Sequence, residues 1–177
     1  YGYGDKFRRD WMAAMVGEPS RRLTDVDFVL GGRDFQGDTG SARMLGDVPF
    51  NMFPRTISTA RVNLCITRRS HASVYASSSC RPFELASAGA AIVANPYLGI
   101  DEWFEPGEEI IIVESPGEAV DAYKNLLDDP AHEGIGRWVA HLNRLHCEYP
   151  ALHRLDHEPT GFEWIDCDDA EHNVLVW

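Results

Sequence analysis

The sequence predicts an α/β fold. A doubly wound layer of parallel strands and helices comes first, and a helix with a short β-hairpin follows it. Three observations carry this. Short apolar runs alternate with stretches of helical periodicity as far as about residue 128. Glycine and proline punctuate the changes from one to the other. Beyond Pro150 the period shifts to two. Strands that alternate with helices of this length pair in parallel, because each helix carries the chain back across the sheet.

Taken in order, Asp5 can cap a helix over 6–16, where Phe7, Trp11, Met12 and Met15 recur at helical spacing. Val26–Leu30 reads as a strand stopped by Gly31 and Gly32. A polar loop over 33–40 leads to a short strand at Arg43–Leu45. Pro54 introduces a helix over Arg55–Arg61, and Val62–Thr67 is a buried strand. Ser77 to Pro96 then reads as loop, helix and strand. Asp101–Phe104 suggests a short helix, Glu109–Val113 a strand, and Pro116–Leu127 a helix with Ala119, Val120, Tyr123, Leu126 and Leu127 facing inward. Residues 133–147 form an amphipathic helix. Gly161–Ile165 and Asn173–Trp177 alternate at period two around the acidic turn Asp166–Glu171, which signals a hairpin. Trp11, Trp103 and Trp138 sit among apolar neighbours and read as core.

Charge narrows the function. The formal net charge is −12, which argues against general affinity for nucleic acid or an anionic membrane, since both are polyanions. Residues 1–128 carry 18 acidic and 13 basic side chains, and residues 129–177 carry 10 and 3. An anionic ligand therefore belongs in the first part. The four cysteines have no metal-ligand spacing and read as reduced thiols of a cytoplasmic protein. No apolar run reaches the ~20 residues of a membrane span. Asp166, Asp168 and Asp169 lack the glycine and distal glutamate of a calcium loop, so no metal site is expected. The first residues look like the end of a strand entering a turn, and the expectation is a piece of a longer protein.

The stretch from Ser77 to Pro96 carries the chemistry. It sets Ser78, Ser79 and Arg81 at a helix start and Glu84 one turn in. A helix start offers unpaired N–H groups and positive dipole to phosphate, while a carboxylate accepts hydrogen bonds from ribose hydroxyls. Arginine adds fixed, bidentate bonds. The bland alternatives are a surface ion pair for Arg81 and a solvent-facing helix position for Glu84. Arg68 and Arg69 follow a strand's carboxyl end, the rim where open α/β sheets bind ligands, or else form a solvated pair. His71 is a candidate base or phosphate donor that more often would be neither. Asn95 and Tyr97, after the next strand, could face a base or sugar.

Four stretches together resemble the carboxy-terminal half of a GT-B glycosyltransferase, and within it the spore-maturation-type glycosyltransferase-like family. They are Tyr1–Asp5, Ala60–Arg69, Arg81–Gly89 and Gly99–Gly107. The resemblance spans residues 1 to about 128. It implies a Rossmann-like domain that holds a nucleotide-diphosphate sugar, with the acceptor-binding half preceding it. It places Gly2 and Gly4 in the loop beneath the diphosphate and the family's ribose-contacting glutamate on Glu84. The family's first glutamate would fall on Ala76, so its two-carboxylate pattern is incomplete here. Residues from about 131 resemble a glycogen branching enzyme where its barrel passes into the carboxy-terminal β-domain, through Gly136–Leu145, Pro150–Asp156 and Gly161–Ala170. That family's catalytic aspartate and glutamate lie upstream of such a segment, so the tail implies no branching activity.

The expected organisation is thus a nucleotide-sugar-binding domain over 1–130 and a branching-enzyme-like segment over 131–177. They join near Leu126–Ala131 as a fusion or a recombined chain would. The expected function is the donor-binding part of a glycosyltransferase of hexosyltransferase type. It would bind donor without metal and have little activity by itself. Its partners would be the nucleotide-sugar, an unidentified acceptor, and either a second copy or an amino-terminal domain. The alternative is a non-catalytic interaction module.

Overall fold

The computed structural model describes residues 2–3, 8–76, 79–129, 144–145, 148–149, 166–169 and 174–176. It divides into two compact units, Tyr1–Ala140 and His141–Trp177.

In the first unit, β1 (Gly2–Tyr3), β2 (Val29–Arg33) and β3 (Arg43–Gly46) form one parallel sheet. A second parallel sheet joins β4 (Asn63–Cys65), β5 (Ile92–Ala94) and β6 (Ile111–Ile112). The α/β class and the parallel pairing are as the sequence predicts. The expected single layer is described instead as two three-stranded sheets. β5 is the innermost strand: Ile92 and Ala94 turn into one cluster with Phe53, Ile57, Leu85 and Phe104. Val93 turns into another with Met15, Val113, Val120 and Tyr123. A strand buried on both faces needs an uninterrupted apolar run, and Ile92-Val93-Ala94 supplies it.

The helices are α1 (Arg9–Met12), α2 (Glu18–Arg22), α3 (Phe53–Thr59), α4 (Arg69–Ala72), α5 (Arg81–Ser87) and α6 (Pro116–Asp128). α6 starts as its sequence demands. The Ser115 hydroxyl accepts the Glu118 N–H at 3.2 Å, and the Glu118 carboxylate accepts the Glu114 N–H at 2.8 Å.

Three local expectations are corrected. The first helix does not end at 16: a π-helical turn, Ala13–Gly17, links α1 to α2. Pro19 explains the irregularity. Lacking an N–H, it cannot bond the carbonyl four residues back, which belongs to Met15. The Tyr123 hydroxyl donates to that carbonyl instead, at 2.7 Å. β2 runs through Gly31 and Gly32 rather than stopping before them, and Gly32 stands in register with Gly2. Trp103 is half exposed, at 50%, because it follows the short 3-10 turn Ile100–Glu102 at the surface. Its ring meets Phe83 edge to face at 5.7 Å. Trp11 packs against the cluster around Val93, as expected.

In the second unit, β7 (Asp166–Asp169) pairs antiparallel with β8 (Val174–Val176). The hairpin is present, but Asp166–Asp169 is strand rather than turn. The helix expected over 133–147, Trp138 and Gly161–Ile165 lie outside the described residues, apart from Arg144 and Leu145, which are helical.

Candidate functional site

α5 packs against β4 and β5 and opens at the carboxyl end of β4. Pro82 in its first turn fixes the backbone for helix entry, and Pro82 and Leu85 bury the inner side. Arg81 and Glu84 are left on the half-buried flank, with side chains 23% and 32% exposed. Their charged atoms meet at 2.9 Å, an i,i+3 pair. The Arg81 guanidinium also lies 4.4 Å from the centre of the Phe53 ring at the start of α3. Arginine and carboxylate, separate candidates in the sequence, are thus coupled: a ligand that takes the guanidinium does so in competition with Glu84.

The helix begins at Arg81 itself, with Cys80 as its cap and no side-chain bond from that cap. The Ser79 hydroxyl accepts the Arg81 N–H at 3.4 Å. Ser78 and Gly4 lie outside the described residues. Gly2 lies in a strand and not in a loop, paired with Gly32, which corrects that part of the expectation. Arg68 is exposed three residues after β4, where it caps α4 in extended backbone. It therefore stands at the same strand end as Arg81. Ala76, where the resemblance places a glutamate, adopts a left-handed backbone (φ 51°). Its N–H bonds the Leu98 carbonyl at 2.8 Å.

Two candidates take other parts. Asn95 is fully buried, and its amide locks the two strand ends together. Its Oδ1 accepts the Thr67 N–H at 2.6 Å, and its Nδ2 donates to the Pro96 carbonyl at 3.1 Å. Tyr97 is buried. Nδ1 of His71, on α4, is buried without a hydrogen-bond partner among the described residues. Burial pushes the Cys65 thiol up to about 11; the Thr67 hydroxyl and the positive charge of Arg81 oppose that rise. Cys65 and Cys80 are free thiols. Among the described residues no carboxylate, histidine or cysteine cluster could hold a metal ion. No helix among them is long and apolar enough to cross a membrane.

The sequence reading missed the Phe53 ring beneath Arg81 and the Asn95–Thr67 lock. Phe53 precedes Pro54 at a helix start, but nothing in the sequence pairs it with a residue 28 positions away. The Arg81–Glu84 spacing did carry a signal, since residues three apart share a helix face.

Open parallel α/β sheets bind their ligands at the carboxyl ends of the strands, the end at which Arg68 and Arg81 stand. The profile of the glycosyl transferase-like family matches residues 8–157, and the chain belongs to that family. Among solved structures it is similar to T4 phage BGT, determined in complex with its UDP-glucose substrate. That likeness has a TM-score of 0.57 at 15% identity, and covers 82% of this chain and 44% of that one. At such identity it shows the fold alone, and it agrees with the expected half of a GT-B architecture. Curated relatives include the 1,4-alpha-glucan branching enzyme of Novosphingobium aromaticivorans, 43% identical over 90 residues, covering 46% of this chain and 12% of the enzyme. That of Cereibacter sphaeroides is 59% identical over 51 residues, covering 29% and 7%. The chain thus spans 12% or less of the length of these enzymes.

Proposed function

We propose that the first domain, 1–130, binds a nucleotide-diphosphate sugar at the carboxyl ends of β4 and β5, as the donor-binding part of a glycosyltransferase. The observation that carries this reading is the half-buried Arg81–Glu84 pair at the start of α5, oriented by Phe53. Family membership and the fold likeness to a chain that takes UDP-glucose support it. Arg81 meets the diphosphate, supported by Arg68 and Ser79 at the same strand end and helix start; Ser78, Gly2 and Gly4 complete the proposed set. Glu84, released from Arg81, accepts the ribose hydroxyls. As the sugar departs, negative charge grows on the diphosphate, and a fixed guanidinium stabilises it. The branching-enzyme likeness takes in residues 131–177 and, since it covers 46% of the chain, begins before residue 131.

Calorimetry with UDP, ADP and GDP tests the proposal. One of them binds, and Arg81→Ala weakens it at least ~10-fold, the worth of a charge-assisted hydrogen bond. Glu84→Ala removes the preference for the ribose over the 2′-deoxyribose form. A second reading, a non-catalytic interaction module, is favoured by Ala76 at the missing glutamate and by the exposed Phe83 and Trp103 rings. No binding to any of the three selects it.

A further inference from the structure

The ladder between β4 and β5 runs as far as Cys65 and Ala94. The Ile66–Thr67 peptide group lies past it and finds its partners elsewhere. Both partners are side chains. Nε of Arg8 donates to the Ile66 carbonyl at 2.8 Å. The Thr67 N–H donates to Oδ1 of Asn95 at 2.6 Å. The oxygen and the hydrogen of a trans peptide point away from each other across one plane. That plane is thus held at both poles, by a residue 58 positions earlier and by one 28 positions later.

The residue that follows is Arg68. It continues in extended backbone, with φ −63° and ψ 143°, and caps α4. The orientation of the Ile66–Thr67 plane fixes the line along which the chain departs toward it. With one pole released, the plane can turn about its flanking single bonds and carry Arg68 away from the strand end.

Arg8 is suited to its pole. It caps α1 and is half-buried. The Ile66 side chain packs against Met12 and Val16, which follow it in the helical segment. A guanidinium bond to a carbonyl is charge-assisted and stronger than a neutral one. The charge also reaches the strand end. Burial raises the Cys65 thiol, and the positive charges of Arg81 and Arg8 both oppose that rise. Arg8 and Arg81, far apart in the chain, therefore stand near the same end of β4.

We infer that Arg8 is a positioning residue of the donor site: by holding the Ile66 carbonyl it fixes the strand end that sets Arg68 beside the diphosphate. The inference rests on the donor reading and adds to it a residue that acts through the backbone and not on the ligand.

The test is calorimetry on the 177-residue chain with UDP, ADP and GDP. Arg8→Met keeps the length of the stem and removes the donor. Arg8→Gln restores an N–H at the same distance along the side chain, without the charge. Arg8→Met weakens the diphosphate that binds by about 10-fold, and Arg8→Gln recovers most of that loss. Arg68→Ala weakens binding too, and Arg8→Met added to it costs less than about 2-fold more, because the two residues act in series. A merely structural role for Arg8 would weaken binding by the same factor with or without Arg68. Such additive losses overturn the inference, as does Arg8→Gln binding no better than Arg8→Met, or Arg8→Met binding like the parent. If Arg8→Met is not recovered folded, Arg8→Lys replaces it, since its donor lies one bond further out. A loss seen only in the presence of Arg68 then supports the inference, and any other result counts against it. If none of the three diphosphates binds the parent chain, the donor reading fails and the inference falls with it. Binding by the parent that ignores Arg8 overturns the inference alone.

Discussion

The two parallel sheets of the first unit are built from strands of similar length and differ in what covers them. All of β5 is buried, with one core cluster on each face. All of β3 is exposed, and Met44 and Leu45 stand 50% and 45% open. The backbone ladder is the same in kind on both sides, so the difference in stability lies in the side chains. The candidate site rests on the well-covered sheet, where α5 packs and Asn95 pins the strand ends. A site that must hold an arginine in place benefits from that support.

The largest break in this contrast is expected from Asn95→Ala. It strips the buried Thr67 N–H of its acceptor, and an orphaned buried amide costs about 2–3 kcal/mol with the packing lost around it. Urea unfolding at pH 7 should show that loss, and the donor affinity should fall with it. The next effect is from pH. The Cys65 thiol, pushed up to about 11 by burial, keeps its proton in the folded chain after the unfolded chain has lost it. The raised Tyr123 phenol acts in the same sense, and burial is again the cause. The native state then binds more protons than the unfolded state, so stability is complete below pH 9 and declines as pH rises to 11, by about 2 kcal/mol. Urea midpoints at pH 7, 9 and 11 measure it, and Cys65→Ala should flatten the slope. The smallest effect belongs to the bare sheet: Met44→Ser and Leu45→Ser should each change stability by less than about 0.5 kcal/mol. A large loss from either would mean that β3 is covered in solution.

What the sequence disclosed follows from the range of the forces involved. α6 was legible because its start and its apolar face are local: Ser115 and Pro116 open it, and Ala119, Val120, Tyr123 and Leu126 are all buried. β4 and β5 were legible as apolar runs. Gly31 and Gly32 misled, because a glycine that ends an isolated strand can also lie inside a parallel ladder, here opposite Gly2. Trp103 misled because apolar neighbours in sequence do not guarantee neighbours in space. At the site, the positions of Arg81 and Glu84 on one helical turn were readable. Their mutual pairing changes the chemistry, since neither is a standing charge. The ring beneath Arg81 and the lock between Asn95 and Thr67 arise from elements far apart in the chain, and no local period encodes them.

Pro19 leaves a carbonyl whose acceptor role is filled by a phenol 108 residues further along. The first helical segment therefore cannot complete its polar pairing until α6 has been made and has packed. Loosening either α6 or the π-helical turn therefore unpairs the other. A bond that ties residues 108 positions apart makes α1, the π-helical turn and α6 one cooperative unit, which should exchange its amides together.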